Sequence, residues 1–230
     1  MEASRIQTVE RPALVWPALA VAAVVAFFGF PGTGGDCLDH AFQSLFWDGK
    51  SWLIPHEARL GKWFAYDGPK GVLILFAVYL LSSAFFPSSV PGSLGRRRSI
   101  YLLACLALVS VVCTQLRSVT HMGTPIDLKL YGGAWDHLLL FQRKPLNYPS
   151  HAFPAGHASG GFALLGLYWA LPIARRNLGL AIGLGLGCWM GLYQIARGEH
   201  FLSHSLATAT LAWLICAGLA RWIEPDASPA

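Results

Sequence analysis

The sequence predicts an all-α, polytopic membrane protein with six transmembrane helices and an interfacial helix in the first outer loop. Composition is the first reason: 54% of the 230 residues are hydrophobic and 13% are charged, whereas about 25% of the residues in soluble domains are charged. The second reason is that six apolar stretches are long enough to cross about 30 Å of hydrocarbon. So low a charge also excludes a disordered chain and the dense basic surface of a nucleic-acid-binding protein.

The six apolar stretches are predicted to be helices, because a backbone in lipid must satisfy its own hydrogen bonds. They cover residues 12–30, 71–87, 99–116, 154–173, 178–196 and 201–220. In the fifth stretch a glycine recurs at every fourth residue, at Gly179, Gly183, Gly187 and Gly191. This face of bare backbone predicts a closely packed neighbouring helix. No repeat divides the chain, so residues 1–230 are predicted to form a single integral-membrane domain.

The loop after the first span contains a pattern typical of a helix that lies in the membrane surface. Apolar side chains recur on one helix face at Leu38, Phe42, Leu45 and Phe46. Trp47 and Trp52 follow, and tryptophan is enriched at the depth of the lipid headgroups. The segment is therefore predicted to be an interfacial helix, with a structural anchor favoured over a lid.

Arginines and histidines are separated along the predicted bundle. Eight of the twelve arginines occupy the termini and the short connections of one face, at Arg5, Arg11, Arg96, Arg97, Arg98, Arg175, Arg176 and Arg221. By the positive-inside rule this face is cytoplasmic, and so are both termini. All eight histidines fall at or near the opposite face, at His40, His56, His121, His137, His151, His157, His200 and His204. Titratable chemistry is therefore predicted at the outer face.

Three outer-face segments contain the candidate functional residues. The first runs from Arg117, at the end of the third span, to Thr124 and Pro125. The second, residues 153–160, precedes a helix whose free N–H groups and dipole favour an anion. The third leads into the sixth span, and its residues His200 and His204 share one helix face.

Together these segments resemble the membrane branch of the type-2 phosphatidic acid phosphatase superfamily. Its motifs are K-x6-R-P, P-S-G-H and S-R-x5-H-x3-D, and the first motif follows the third of six spans. In this sequence the motif positions are occupied by Arg117, Thr124 and Pro125, by Pro154, Ala155, Gly156 and His157, and by Tyr193, Gln194, His200 and His204. The resemblance covers roughly residues 99–220, the expected catalytic core. Within this region the sequence also resembles one bacterial subgroup of the superfamily.

The resemblance implies hydrolysis of a phosphomonoester or pyrophosphate on a lipid, with no cofactor and no metal. His200 would attack phosphorus and form a phosphohistidine, His157 would protonate the leaving oxygen, and His204 would support the nucleophile. The phosphate would be held by Arg117 and by the segment around Ala155 and Gly156. Further candidate phosphate ligands are Thr124, Lys129, Arg143, Lys144 and Arg197.

The resemblance also implies a location and partners. The protein is expected in the bacterial inner membrane, with its active site facing the periplasm. A lipid phosphate and the membrane are the expected partners, with no nucleic acid, and the sequence leaves the oligomeric state and the particular lipid open. Transfer of the phosphoryl group to a second lipid is a further possibility.

Two departures from the family pattern leave alternatives open. Gln194 stands where the family has arginine, although Arg197 lies one helical turn away. His204 stands where the family has aspartate, and a neutral imidazole gives no anionic support. Asp127 or Glu199 is a candidate for the missing charge. One alternative is a non-catalytic lipid-binding or assembly subunit.

The other alternative is a metal or heme site formed by histidines. It would use His200 and His204 together with His157 or His151. The spacing of the first two suits a metal, but the sequence has no H-E-x-x-H motif.

Overall fold

The computed structural model describes residues 12–55, 57–149 and 151–223. In these residues the chain is all-α, and extended pairing is limited to isolated bridges. The helices are α1 (Val15–Gly29), α2 (Gly35–Gln43), α3 (Gly68–Phe85), α4 (Arg96–Thr120), α5 (residues 156–170), α6 (Arg176–Ile195) and α7 (Leu202–Ala220). A short helix, Arg59–Lys62, and a π-helical turn, Trp63–Asp67, lead directly into α3.

Four segments of the described chain are long and apolar enough to cross a membrane. They are Trp63–Phe85, Arg96–Asp127, Ile173–Ile195 and Leu202–Ala220, and they correspond to the second, third, fifth and sixth predicted spans. The first predicted span forms only the 15 residues of α1. At 1.5 Å per residue this helix is about 22 Å long, which is less than the hydrocarbon thickness.

The fourth predicted span, residues 154–173, is a shorter and interrupted helix. The helix α5 begins with the 3-10 turn Gly156–Ala158, which is followed by the α-helical segment Ser159–Ala163. A second 3-10 turn, Leu164–Gly166, then leads into the α-helical segment Leu167–Ala170. The helix ends at Ala170 because Pro172 follows, and a proline disfavours helical backbone in the residue before it.

The glycine face of α6 packs directly against α5, as the sequence predicts. A Cβ atom at Gly183 would lie 2.5 Å from the backbone nitrogen of Leu165, and one at Gly187 would overlap the Phe162 ring. Because the two backbones approach so closely, the start of α5 and the end of α6 are held side by side. This contact positions the site described below.

The α2 helix turns its polar side toward the protein and its apolar side away. Asp39 and Gln43 are buried, while Leu38 is 45% exposed. The Gln43 side chain donates to the Ile195 carbonyl oxygen at 2.8 Å. The helix ends at Gln43, so Leu45 and Phe46, the last two residues of the predicted apolar pattern, lie beyond it. Trp52, predicted at headgroup depth, is buried and lies 5.3 Å from the Tyr131 ring.

The helix ends place one group of arginines opposite the histidines, as the sequence predicts. The helices α4 and α6 begin near arginines, and α7 ends before Arg221. The opposite ends of the same helices lie beside the histidines. Arg5, Arg11, His56 and the carboxyl terminus fall outside the described residues, so the predicted location of both termini stays a prediction.

Candidate active site

Three histidines form a continuous row at the ends of α5, α6 and α7. The Nδ1 atom of His157 lies 3.3 Å from Nε2 of His200, and the Nδ1 atom of His200 lies 3.4 Å from Nδ1 of His204. His157 is in the first turn of α5, His200 lies two residues before the start of α7, and His204 is in the first turn of α7. The structure therefore brings together the three histidines that the motif spacing selects.

The central ring, His200, is uncharged near neutral pH. It is 2% exposed, and burial, followed by the neighbouring charges of His204, His157 and Arg117, holds its pKa well below the usual 6.5. In each neutral imidazole one ring nitrogen donates a hydrogen bond and the other accepts one. If the Nδ1 atom of His200 donates to His204, the Nε2 atom keeps its lone pair and presents it toward His157.

Two hydrogen bonds, one between backbone groups and one from a side chain, connect the turn before α5 to α7. The Ala155 amide donates to the His204 carbonyl oxygen at 3.1 Å, and the Thr208 hydroxyl donates to the Ala155 carbonyl oxygen at 3.2 Å. The Ala155 amide is therefore already engaged, which departs from its predicted use as a phosphate ligand. Its role in this structure is to hold His157 next to His200.

Arg117 lies across the same turn. Its Nε atom donates to the His151 carbonyl oxygen at 2.6 Å. A Cβ atom on Gly156 would lie 2.5 Å from the Nη1 atom of Arg117, so the absence of a side chain at position 156 makes room for the guanidinium group. The arginine is thus held beside His157, as the first-motif prediction requires.

A lateral pocket of about 440 Å³ opens between α3, α4 and α5 and ends at His157. Its polar end is formed by Tyr66, Lys70, Arg117 and His157. Its other lining residues are mostly apolar and include Leu73, Ile74, Ala77, Leu106 and Met190. The pocket therefore has a cationic end beside the histidines and an apolar wall along the membrane-spanning helices.

Sequence reasoning missed two residues of this pocket. Lys70 directly precedes the second predicted span, and Tyr66 lies in the turn before it. The Tyr66 ring centroid is 5.3 Å from that of His157, and the Lys70 ammonium is 6.0 Å above the Tyr66 ring. No motif includes either residue. The only features of the sequence that could have indicated them were the charge of Lys70 and the aromatic ring of Tyr66 at the end of a span.

Arg197, the predicted replacement for the missing motif arginine, lies near His157. Its guanidinium carbon is 5.3 Å from the Tyr193 ring, and its charge acts on His157 together with those of Arg117 and Lys70. Three cations thus act electrostatically on the first histidine of the row.

The other predicted phosphate ligands are engaged in the loop between α4 and α5, away from the pocket lining. Lys129 pairs with Asp136 at 2.9 Å. Lys144 donates to three carbonyl oxygens, those of Leu139, Leu140 and Gln142. Arg143 is exposed.

The Thr124 hydroxyl donates to Asp127 at 2.7 Å and caps a turn, so Asp127 is also occupied as a source of negative charge. Among the described residues, no group of three histidine, cysteine, aspartate or glutamate side chains is arranged to hold a metal ion.

Comparisons with known proteins agree with the sequence resemblance. The sequence model of the PAP2 superfamily matches residues 73–227. The structure resembles the transmembrane PAP2-type phosphatidylglycerolphosphate phosphatase from Bacillus subtilis, with a TM-score of 0.57 and 14% identity over 90% of this chain and 93% of that chain. No curated protein sequence matches the chain significantly. Because the family match spans well over half of the residues and includes all three histidines, the chain belongs to the PAP2 superfamily.

Proposed function

We propose that the protein is a membrane lipid phosphatase that hydrolyses a phosphomonoester or pyrophosphate on a lipid. The observation that carries this proposal is the lateral pocket, whose cationic end meets His157 and whose apolar wall follows the spanning helices. A lipid phosphate would place its charged phosphate at the cationic end and its apolar tail along the apolar wall.

The polar end of the pocket suits a doubly charged phosphate. A phosphomonoester carries about −1.5 to −2 charges at pH 7. Arg117 and Lys70 line this end of the pocket, and the charge of Arg197 also acts on His157. The lipid tail would lie along Leu73, Ile74 and Leu106. Since Ile74 is 55% exposed on the outside of α3, this wall is open to the surrounding lipid.

The histidine row supports a two-step reaction. The Nε2 lone pair of His200 attacks phosphorus, the bond from phosphorus to the lipid oxygen breaks, and the leaving oxygen takes a proton from His157. Water then gives a proton to His157 and attacks the phosphohistidine, and the bond from phosphorus to Nε2 breaks. This step releases phosphate and restores both the lone pair of His200 and the proton of His157. The cations stabilise the charge that spreads over the phosphoryl oxygens. The phosphoryl group would enter between the rings of His157 and His200.

The membrane placement is part of the same proposal. We place α1 and α5 as the first and fourth of six spans, α2 in the membrane surface and the site on the periplasmic side of a bacterial inner membrane. The positions of Arg97, Arg175 and Arg221 at the opposite end support this orientation. A reporter fused after residue 230 should then be cytoplasmic, and one inserted near Lys50 should be periplasmic. The reverse result would place the pocket in the cytoplasm.

The experiment that tests the activity is phosphate release by the purified protein in detergent micelles. The substrates are a panel of lipid monophosphates and pyrophosphates, each with and without EDTA. We expect EDTA-resistant phosphate release from at least one lipid. Lipid binding without phosphate release from any of them would contradict the proposal and favour a non-catalytic lipid-binding protein.

A further inference from the structure

A small cavity lies beside His204 and shares no lining residue with the lateral pocket. Its volume is about 10 Å³, which is room for about one water molecule. Side chains from α1, α2, the long outer loop and α7 enclose it. Its polar lining residues are Asp39, His137, Ser203 and His204.

His204 has a buried nitrogen that its neighbours leave without a hydrogen bond. The residue is fully buried, its Nδ1 atom contacts His200, and its Nε2 atom has no hydrogen-bond partner among the described residues. Buried polar groups in folded proteins nearly always have a partner, which is often an ordered water. Because His204 lines the cavity, a water in the cavity can serve as that partner.

Asp39 brings a carboxylate to the same cavity from α2. It is 4% exposed, and its Oδ1 atom accepts a hydrogen bond from the Ser203 amide at 2.8 Å. The Ser203 side chain also hydrogen-bonds to Asp39. A carboxylate can accept more hydrogen bonds than these two, so Asp39 can still accept one from a water. Burial raises the pKa of Asp39 to about 7, and the carboxyl is therefore mostly ionised at pH 8.

The other titratable group on the cavity, His137, does not provide a negative charge. Its Nδ1 atom lies 2.9 Å from Nε2 of His40, whose Nδ1 atom lies 2.9 Å from the Tyr131 hydroxyl. Burial lowers the pKa of His137 to about 4, so its ring is neutral near pH 7. Asp39 is thus the acidic side chain that lines this cavity.

We propose that Asp39 is a positioning residue that accepts the Nε2 proton of His204 through one water in this cavity. This hydrogen bond fixes the proton of His204 on Nε2, so that its Nδ1 atom accepts from Nδ1 of His200. The Nε2 lone pair of His200 then faces the pocket. The inference rests on the proposed function. It assigns to Asp39 on α2 the negative charge that the family's third motif has at the position of His204.

The test compares Asp39→Asn in two backgrounds at pH 8. Asparagine keeps an oxygen for the Ser203 amide but removes the charge. In the natural sequence, Asp39→Asn should lower kcat about tenfold to hundredfold with little change in KM. In a His204→Asp background, where a carboxylate contacts His200 directly, the same change should cost less than twofold. Asp36→Asn, on the same helix, is the control for the loss of one charge.

A purely structural role of Asp39 predicts a different pattern, in which the loss is equal in both backgrounds. That result would overturn the proposal. Asp39→Glu, which keeps the charge, should retain more activity than Asp39→Asn. The opposite order would also overturn it.

A second measurement separates this inference from the proposed function. In protein labelled with ¹⁵N-histidine, we expect the Nε2 resonance of His204, assigned with His204→Gln, to move in Asp39→Asn and to stay in place in Asp36→Asn. If the unaltered protein releases no phosphate, the proposed function fails. The shift of this resonance in Asp39→Asn then shows by itself whether His204 is hydrogen-bonded to Asp39 through the water. An unmoved resonance would overturn the inference even in an active enzyme.

Discussion

The lateral pocket and the histidine row are neighbouring regions with opposite physical properties. The pocket is open, and Arg117 and Lys70 provide fixed positive charge at its polar end. In the row, His200 and His204 are almost completely buried, and the pKa of His200 is held well below its usual value by burial. A cation can bind phosphate while it remains partly hydrated, but an imidazole needs a free lone pair to attack phosphorus. In the proposed function, binding and chemistry are therefore assigned to separate regions that meet at His157.

The largest effect should follow from removing the central ring of the buried region. His200→Ala removes the attacking nitrogen, so phosphate release should fall by about a thousandfold or more. The measurement is initial-rate phosphate release under saturating lipid phosphate. The matched control is His121→Asn, which replaces an exposed histidine and tolerates the left-handed backbone at that position. Substantial activity in His200→Ala would contradict the assignment of chemistry to the row.

The two histidines of the last motif should be unequal. His204→Ala should reduce kcat about tenfold to hundredfold, because only support for the nucleophile is lost. His204→Asp should preserve or raise activity, because it supplies a carboxylate next to His200. These rates are measured with and without EDTA. Equal collapse of His200→Ala and His204→Ala, together with sensitivity to EDTA, would instead indicate a metal or heme site.

Changes in the open region should act on binding more than changes in the row do. Arg117→Ala and Lys70→Gln each remove a charged hydrogen-bond donor, so each should raise KM about tenfold. Arg117→Ala should also lower kcat, because the arginine lies beside His157. Lys129→Gln, outside the pocket, should change neither constant. If Arg117→Ala alters only thermal stability, the arginine is an anchor at the end of α4.

The smallest effect should come from the apolar wall and should depend on the substrate. Ala77→Trp narrows the pocket away from the charges, so KM should rise a few-fold for a long-chain lipid phosphate. A soluble phosphate ester without acyl chains should be hydrolysed as before. The two substrates are compared on the same preparation. An equal effect on both would show that the wall does not bind the lipid tail.

The sequence predicted the members of the histidine row because each stands in a short motif that resembles a motif of a known family. His200 and His204 are one helical turn apart, and His157 follows a turn whose proline and glycine residues are visible in the sequence. Four spans were also predictable, because hydrocarbon imposes length and composition on any helix that crosses it. These features depend on neighbours in the chain.

The pocket was harder to predict because it depends on contacts between distant segments. Lys70 and Tyr66 reach His157 only because the turn before α3 packs near the start of α5. Lys129 and Lys144 have the positive charge that a phosphate ligand needs. In the structure, however, they bind Asp136 and a backbone carbonyl oxygen of their own loop, and no motif predicts these contacts. The interrupted helix α5 is likewise in close backbone contact with α6, a contact made between separate segments of the chain.

The central claim is that His200 carries the phosphoryl group, and rapid-quench labelling tests it most directly. Protein in micelles with EDTA is mixed with a lipid substrate ³²P-labelled in its phosphate and quenched within the first turnover. We predict protein-bound label that is stable in alkali and lost in acid, as expected for phosphohistidine, and no label in His200→Ala. Undiminished label in His200→Ala, or rapid turnover by the unaltered protein without any bound label, would contradict the account.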